Sequence, residues 1–173
     1  MKKAIENESR TLLLNDRQVS QRINRLAYQI YEDNPGEQEI VVAGIIKSGF
    51  QFAEKLSDAL QKISPLKVLL VEVNLDKHSQ TRTDISISVE KEKLTGKVII
   101  LVDDVLNSGK TLMYALKPFL EADTKKIRTV VLVDRNHKRF PISPDFSGLS
   151  LSTTLHEHVT IEFSPEGIQA WLS

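Results

Sequence analysis

The chain has 173 residues, of which 40% are hydrophobic and 27% charged, enough to enclose a sizeable core in one domain spanning residues 1–173. It contains no cysteine, which excludes disulfides, thiolate metal ligands and thiol redox chemistry and is compatible with a reducing compartment. Lysine plus arginine equal aspartate plus glutamate at 23 each, so the molecule lacks the basic excess of a dedicated nucleic-acid binder, and no run approaches the ~20 apolar residues that cross a bilayer.

The first segment, MKKAIENESR, has two lysines but no apolar run of signal-peptide length, so a cytoplasmic location is expected. Next, Val19, Ile23, Leu26, Ala27 and Ile30 recur at helical spacing, with Asn15 placed to cap the helix and Gln18 completing a box-like pair. Short β-branched runs follow at 39–46, 67–73, 97–104 and 128–134. They are nearly continuous rather than alternating, the pattern of strands buried on both faces of a parallel sheet. Helical spacing returns in Phe52, Leu56, Ala59, Leu60 and Ile63 after the first run, and in Leu112, Ala115, Leu116, Phe119 and Leu120 after the third. These βα units predict an α/β fold. Pro118 lacks the amide that would bond the Tyr114 carbonyl, so the third helix should kink or end early.

Two regions depart from βα repetition. Residues 74–95 begin polar and then alternate through Ile85, Ile87 and Val89, which predicts a mobile arm leading into an exposed strand. Residues 135–164 form an irregular tail rich in Pro, Ser and Thr that ends in the strand-like HVTIEF; segments of this length often serve as lids or binding loops. His156 and His158 alternate in a strand-like run and should face solvent, with no third metal partner at readable spacing. Trp171 is expected to pack a C-terminal helix onto the body.

The sequence SGKT at 108–111 matches the tail of a Walker A loop, but that loop needs a glycine five positions before Gly109, where Asp104 stands. An anionic side chain there repels a β-phosphate, which argues against a triphosphate loop. What survives is a buried strand ending at Asp103 and Asp104, a short turn, and a helix opened by Gly109. Free amides at a helix start, with the hydroxyls of Ser108 and Thr111, suit a phosphate dianion. Two nearby carboxylates suit sugar hydroxyls or a magnesium ion. The pair describes a ligand such as a ribose 5-phosphate.

VIILVDDVLNSGKT, at 98–111, resembles the phosphoribosyl pyrophosphate (PRPP) signature of type I phosphoribosyltransferases. LVDRNHKRFPISPDFSG, the opening helix QRINRLAYQIYEDN and the loop GIIKSG are similar to the bifunctional pyrimidine-operon attenuator and uracil phosphoribosyltransferase family. The resemblance implies a central, mostly parallel sheet flanked by helices, with a flexible arm at about 74–95 and a small hood mainly at 135–164. It implies transfer of ribose 5-phosphate from PRPP to a nucleobase, expected to be uracil, with magnesium and release of pyrophosphate. Asp103 and Asp104 are then expected to bind the ribose hydroxyls, in part through magnesium, and Asn107, Ser108, Gly109, Lys110 and Thr111 the 5-phosphate. Lys47, Ser48 and Gly49 are expected to receive the pyrophosphate, while Lys77, His78 and Arg82 on the arm close over the site. Lys47, Lys77 and Arg82 thereby join the acid pair in the catalytic set, and the backbone around Val133, Asp134 and Arg135 contacts the base.

The departures are informative. The 6-oxopurine branch has an acid where Asn107 stands and a lysine where Asp134 stands, so both positions point to a pyrimidine and leave a purine transferase as a lesser alternative. Ser48 replaces the family's arginine, removing a positive charge from the leaving-group loop, and SGLSLSTT lacks the family's proline before Thr153. The competing class is an RNA-binding regulator of pyrimidine genes with weak or no transferase activity. It rests on Arg17, Arg22 and Arg25 together with Arg135, His137, Lys138 and Arg139, although Asn24 and Tyr28 stand where the family's RNA-contacting helix has threonine and histidine. The family also implies a homodimer or higher homo-oligomer.

Overall fold

The structure is a computed structural model and describes residues 10–75 and 84–173. It opens with β1 (Thr11–Leu14) and helix α1 (Asp16–Asp33). The Asn15 side chain accepts from the Gln18 amide at 2.9 Å and the Gln18 side chain accepts from the Asn15 amide at 2.9 Å, the reciprocal cap read from the sequence. Val19, Ile23, Leu26, Ala27 and Ile30 are all buried, as their spacing predicts.

The chain continues through β2 (Glu39–Ile45), α2 (Ser48–Ile63), β3 (Lys67–Leu75), β4 (Ile85–Ile87) and a 3-10 turn at Lys91–Leu94. Then come β5 (Val98–Leu106), α3 (Lys110–Ala115), α4 (Lys117–Leu120), β6 (Lys126–Asp134) and β7 (Phe146–Ser150). The four apolar runs are β2, β3, β5 and β6, and they form the parallel centre of a six-stranded sheet ordered β4-β3-β2-β5-β6-β7. Both faces are covered, which explains the unbroken hydrophobicity: Val42, Ile100 and Val102 belong to the core shared with α1 and α2, whereas Val41, Ala43, Ile99 and Leu101 pack with Leu112, Ala115 and Phe119. β4, carrying Ile85 and Ile87, adds antiparallel to the β3 edge.

Pro118 sits at the start of α4, just past a break at Leu116, so the third helix ends early for the expected reason. The break also re-aims the turn after it, and Leu120 is 68% exposed instead of joining the core. β5 does not stop at the acid pair; it runs on to Leu106.

The C-terminus corrects the expected helix. Residues 159–172 form the hairpin β8 (Val159–Ser164) and β9 (Gly167–Leu172), and β9 also pairs with β1 in a three-stranded antiparallel sheet. Ile168 and Ala170 are buried and alternate with partly exposed neighbours, a two-residue period that only a strand presents to one side. Trp171 therefore lies on a strand, with the Arg10 guanidinium 4.8 Å from its ring centre. Leu14, Ile161, Ile168 and Ala170 share one core with α1 and the main sheet. Among the described residues, no helix is long and apolar enough to cross a membrane.

Asp33 fastens the end of α1 to β6: its Oδ2 accepts from Lys126 Nζ and Arg128 Nε, each at 3.0 Å. Burial by itself raises this carboxyl's pKa, but the hydrogen bonds from Arg128 and then Lys126 outweigh it and hold the group below the usual aspartate value. A carboxyl depressed by folding stabilises the protein above its unfolded pKa of ~3.9 and loses that contribution as pH falls through the folded value. Asp33→Asn should accordingly lower stability at pH 7, with the gap to wild type closing below about pH 4 in denaturant titrations. A gap that widened on acidification would contradict this assignment.

Candidate active site

β2 has β3 on one side and β5 on the other, so the winding of the sheet reverses between β2 and β5. In open α/β sheets a ligand crevice lies outside the carboxyl ends of the strands at such a reversal. Pairing of β2 with β5 ends at Gly44 opposite Val102, and the two chains separate immediately beyond. One wall comes from residues 46–49, the other from residues 103–111.

On the first wall, Lys47 follows Ile46 through a cis peptide bond and is exposed, and its carbonyl accepts the Gln51 amide at 3.2 Å. Gly49 is buried in the first turn of α2. A Cβ at Gly49 would lie 2.8 Å from Asp103 Oδ1 and 3.1 Å from Asp103 Cα. Only a residue without a side chain lets the loop meet the acid pair this closely.

On the second wall, Asp103 is buried and its Oδ1 accepts the Asp104 amide at 2.9 Å; Asp104 is half-buried and its Oδ1 accepts the Val105 amide at 2.9 Å. Val102 and Val105 enter the same core although three residues apart, so strict alternation is broken at the acid pair. The turn beyond β5 is sharp. Gly109 has φ +86°, and a Cβ there would lie 2.7 Å from Ile142 Cγ2. Ser108 Oγ accepts the Lys110 amide at 3.3 Å, while the Ser108 carbonyl accepts the amides of Arg139 at 2.8 Å and Phe140 at 3.1 Å. The tail thus lies directly over the loop. Residues 103–112 line a small polar cavity of about 90 Å³.

Val133, Asp134 and Arg135 emerge buried at the carboxyl end of β6, beside this loop, where the Arg135 amide donates to the Leu106 carbonyl at 3.2 Å. Asp134 Oδ1 accepts the Asn136 amide at 2.9 Å. The Arg135 guanidinium donates to Asn107 Oδ1 at 2.8 Å, to Thr153 Oγ1 at 3.0 Å and to the carbonyls of Thr154 and Glu157. Glu157 folds back to accept the Thr154 amide at 2.6 Å, and this hydrogen bond holds its carboxyl below the usual glutamate range. Sequence reasoning places Arg135 near the base through its backbone and misses the side chain's reach, because its partners are up to 28 residues away.

Gly49 therefore meets Asp103, and Asp103, Asp104, Asn107, Ser108, Gly109, Lys110 and Thr111 line one cavity; Lys47 and Ser48 are the two residues before Gly49 in the chain. Lys77, His78 and Arg82 lie outside the described residues. Among the described residues, no group of three or more His, Cys, Asp or Glu could hold a metal ion. The two adjacent carboxylates still fit magnesium, which takes one or two protein oxygens and completes its shell from phosphates and water. Of the basic residues, Arg25 donates to the carbonyls of Ser147 and Gly148, and Arg135 is buried. His156 and His158 are exposed, as expected, but in a turn and ahead of β8 rather than within a strand.

Residues 9–166 match the family described as phosphoribosyl transferase domain. The chain is 30% identical over 161 residues to the bifunctional protein PyrR of Clostridium kluyveri, covering 90% of this chain and 91% of that protein. It is 29% identical over 163 residues to the bifunctional protein PyrR of Brevibacillus brevis, with coverage of 90% and 91%. Its fold is similar to that of the hypoxanthine phosphoribosyltransferase of Trypanosoma cruzi, with a TM-score of 0.72 at 17% identity over 92% of this chain and 95% of the other. A hypoxanthine-guanine phosphoribosyltransferase from Bacillus anthracis is similar at a TM-score of 0.68 and 23% identity, over 83% of each chain. The likeness to these two structures concerns the fold alone. With the family match running over nearly the whole chain and the acid pair, its loop and the reversal of the sheet in one crevice, this chain belongs to the phosphoribosyl transferase domain family, among the relatives of the bifunctional PyrR proteins.

Proposed function

We propose that the protein transfers the ribose 5-phosphate of PRPP to uracil and releases pyrophosphate. The observation that carries this reading is the approach of Gly49 to Asp103, which sets a loop suited to one phosphate group against an acid pair that leads into a loop suited to another. A sugar carrying phosphates at both ends fits that arrangement. Asp103 and Asp104 face its diol, residues 107–111 take the 5-phosphate, and Lys47 with the amides of Ser48 and Gly49 takes the pyrophosphate. Asp103 and Asp104 would hold magnesium, which would supply positive charge against the leaving group when bound.

The bond from the anomeric carbon to pyrophosphate breaks with its electron pair leaving on oxygen, through an oxocarbenium-like state, and the base nitrogen forms the new bond. No covalent enzyme intermediate is needed. The protein positions both reactants, balances charge and keeps water from the cation. Asn107 cannot serve as a base, and Asp134 stands where a purine-reading lysine belongs in the 6-oxopurine branch; both favour a pyrimidine. The continuous core from β1 to β9 supports reading the chain as one catalytic domain.

Incubation with PRPP, magnesium and each of uracil, orotate, hypoxanthine, guanine and xanthine should yield nucleotide with uracil. Absence of nucleotide with all five bases overturns the transferase reading; product with purines alone overturns the choice of base. A second reading, RNA binding, rests on basic residues that stay exposed, Arg17 on α1 with Lys138 and Arg139 beyond β6. Failure to retard a pyrimidine-leader RNA at low salt removes it.

A further inference from the structure

Asn107 is exposed at the mouth of the polar cavity, while the residue that holds its side chain is buried and comes from the far end of β6. A guanidinium has five donors and no acceptor. The Asn107 atom 2.8 Å from Arg135 Nη1 must therefore be its carbonyl oxygen, and the amide NH2 is turned away from Arg135. The same guanidinium grips the turn at 153–157 through Thr153 Oγ1 and the carbonyls of Thr154 and Glu157. Arg135 is thus braced on several sides by accepting groups, so it cannot swing to let the amide flip. Its burial, at 7% exposure, prevents water from replacing it.

We propose that the backbone of Asn107 serves the 5-phosphate loop while its side chain serves the base, and that Arg135 is a positioning residue that holds the side-chain amide with its NH2 away from Arg135 and toward the nucleobase, so that the site selects a base presenting a carbonyl oxygen there. This rests on the transferase reading and deepens it, since it names the feature of the base that is recognised. A base offering an N–H at that point would meet a donor with a donor and leave both groups unpaired. The selection comes from orientation: asparagine free to flip would accept either kind of base.

The test is calorimetric binding of ribose 5-phosphate and of uridine 5′-monophosphate to the full chain, read as the ratio of the two affinities. Asn107→Ala should lower that ratio about tenfold, the worth of one hydrogen bond. Arg135→Met should lower it by a similar factor and add nothing in the double variant, while Arg135→Lys, which retains a donor, should restore part of it. Equal weakening of both ligands in Arg135→Met would make the residue merely structural and overturn the proposal. Because the Asn107 side chain is exposed, Asn107→Ala decides the matter if Arg135→Met does not fold: an unchanged ratio overturns the proposal. Binding of neither ligand by the wild type overturns the transferase reading and this proposal together, whereas intact binding with an unchanged ratio overturns this proposal alone.

Discussion

Asp104→Asn should reduce kcat about 100-fold with little change in the unfolding midpoint, the scale seen when one preorganised electrostatic contact to a transition state is removed. The substitution is close to isosteric. Asparagine keeps an Oδ1 that can accept the Val105 amide at 2.9 Å, so the irregular backbone after β5 retains its local support. The substitution removes the negative charge that the proposed mechanism sets against the ribose and a magnesium ion, where positive charge develops on the sugar. Steady-state kinetics with PRPP and uracil, beside a denaturant titration, separate the two effects. Unchanged kcat would refute the role given to the acid pair. A large loss of stability would mean that the carboxylate is structural.

Gly49→Ala should reduce kcat/KM by a comparable factor, for a geometric reason. The new methyl would sit 2.8 Å from Asp103 Oδ1, 3.1 Å from Asp103 Cα and 3.2 Å from the Val102 carbonyl oxygen. Two of those neighbours are backbone atoms of a central parallel strand, so the loop carrying Lys47 and Ser48 must move instead. A displacement of about 1 Å between reacting groups can cost roughly 100-fold in rate, and overpacking costs about 1–3 kcal/mol in stability. Gly96→Ala is the control: with φ +68° but nothing within 4 Å of its Cβ, it should cost about 1 kcal/mol of stability and leave the kinetics alone. Equal kinetic losses in both variants would remove the argument from close approach.

Much of this architecture is legible in one dimension because the interactions that specify it are local or periodic. The α1 cap is a pair three residues apart, the central strands announce themselves by unbroken apolar runs, and Pro118 ends its helix through a missing amide. The acid pair and the loop at 107–111 are contiguous, so their chemistry can be read together. The last strand escapes such a reading for an equally physical reason. GIQAWL is short and shows only two inward positions, Ile168 and Ala170, and its status as a strand depends on backbone partners in β8 and β1, the latter at the other end of the chain.

By itself, then, the sequence determined the α/β class, the parallel core, the rejection of a triphosphate loop and the adjacency of Asp103 and Asp104 to the loop at 107–111. Tertiary structure decided what those residues face. Strand order, not composition, put the reversal between β2 and β5 and brought Gly49 against Asp103. Packing of a distant turn, not the helical or strand period, buried Arg135 and aimed it at Asn107. Periodicity reports which side of an element is apolar; the hydrogen-bond partner of a buried polar group is set by whichever acceptor the fold carries to within about 3 Å of it.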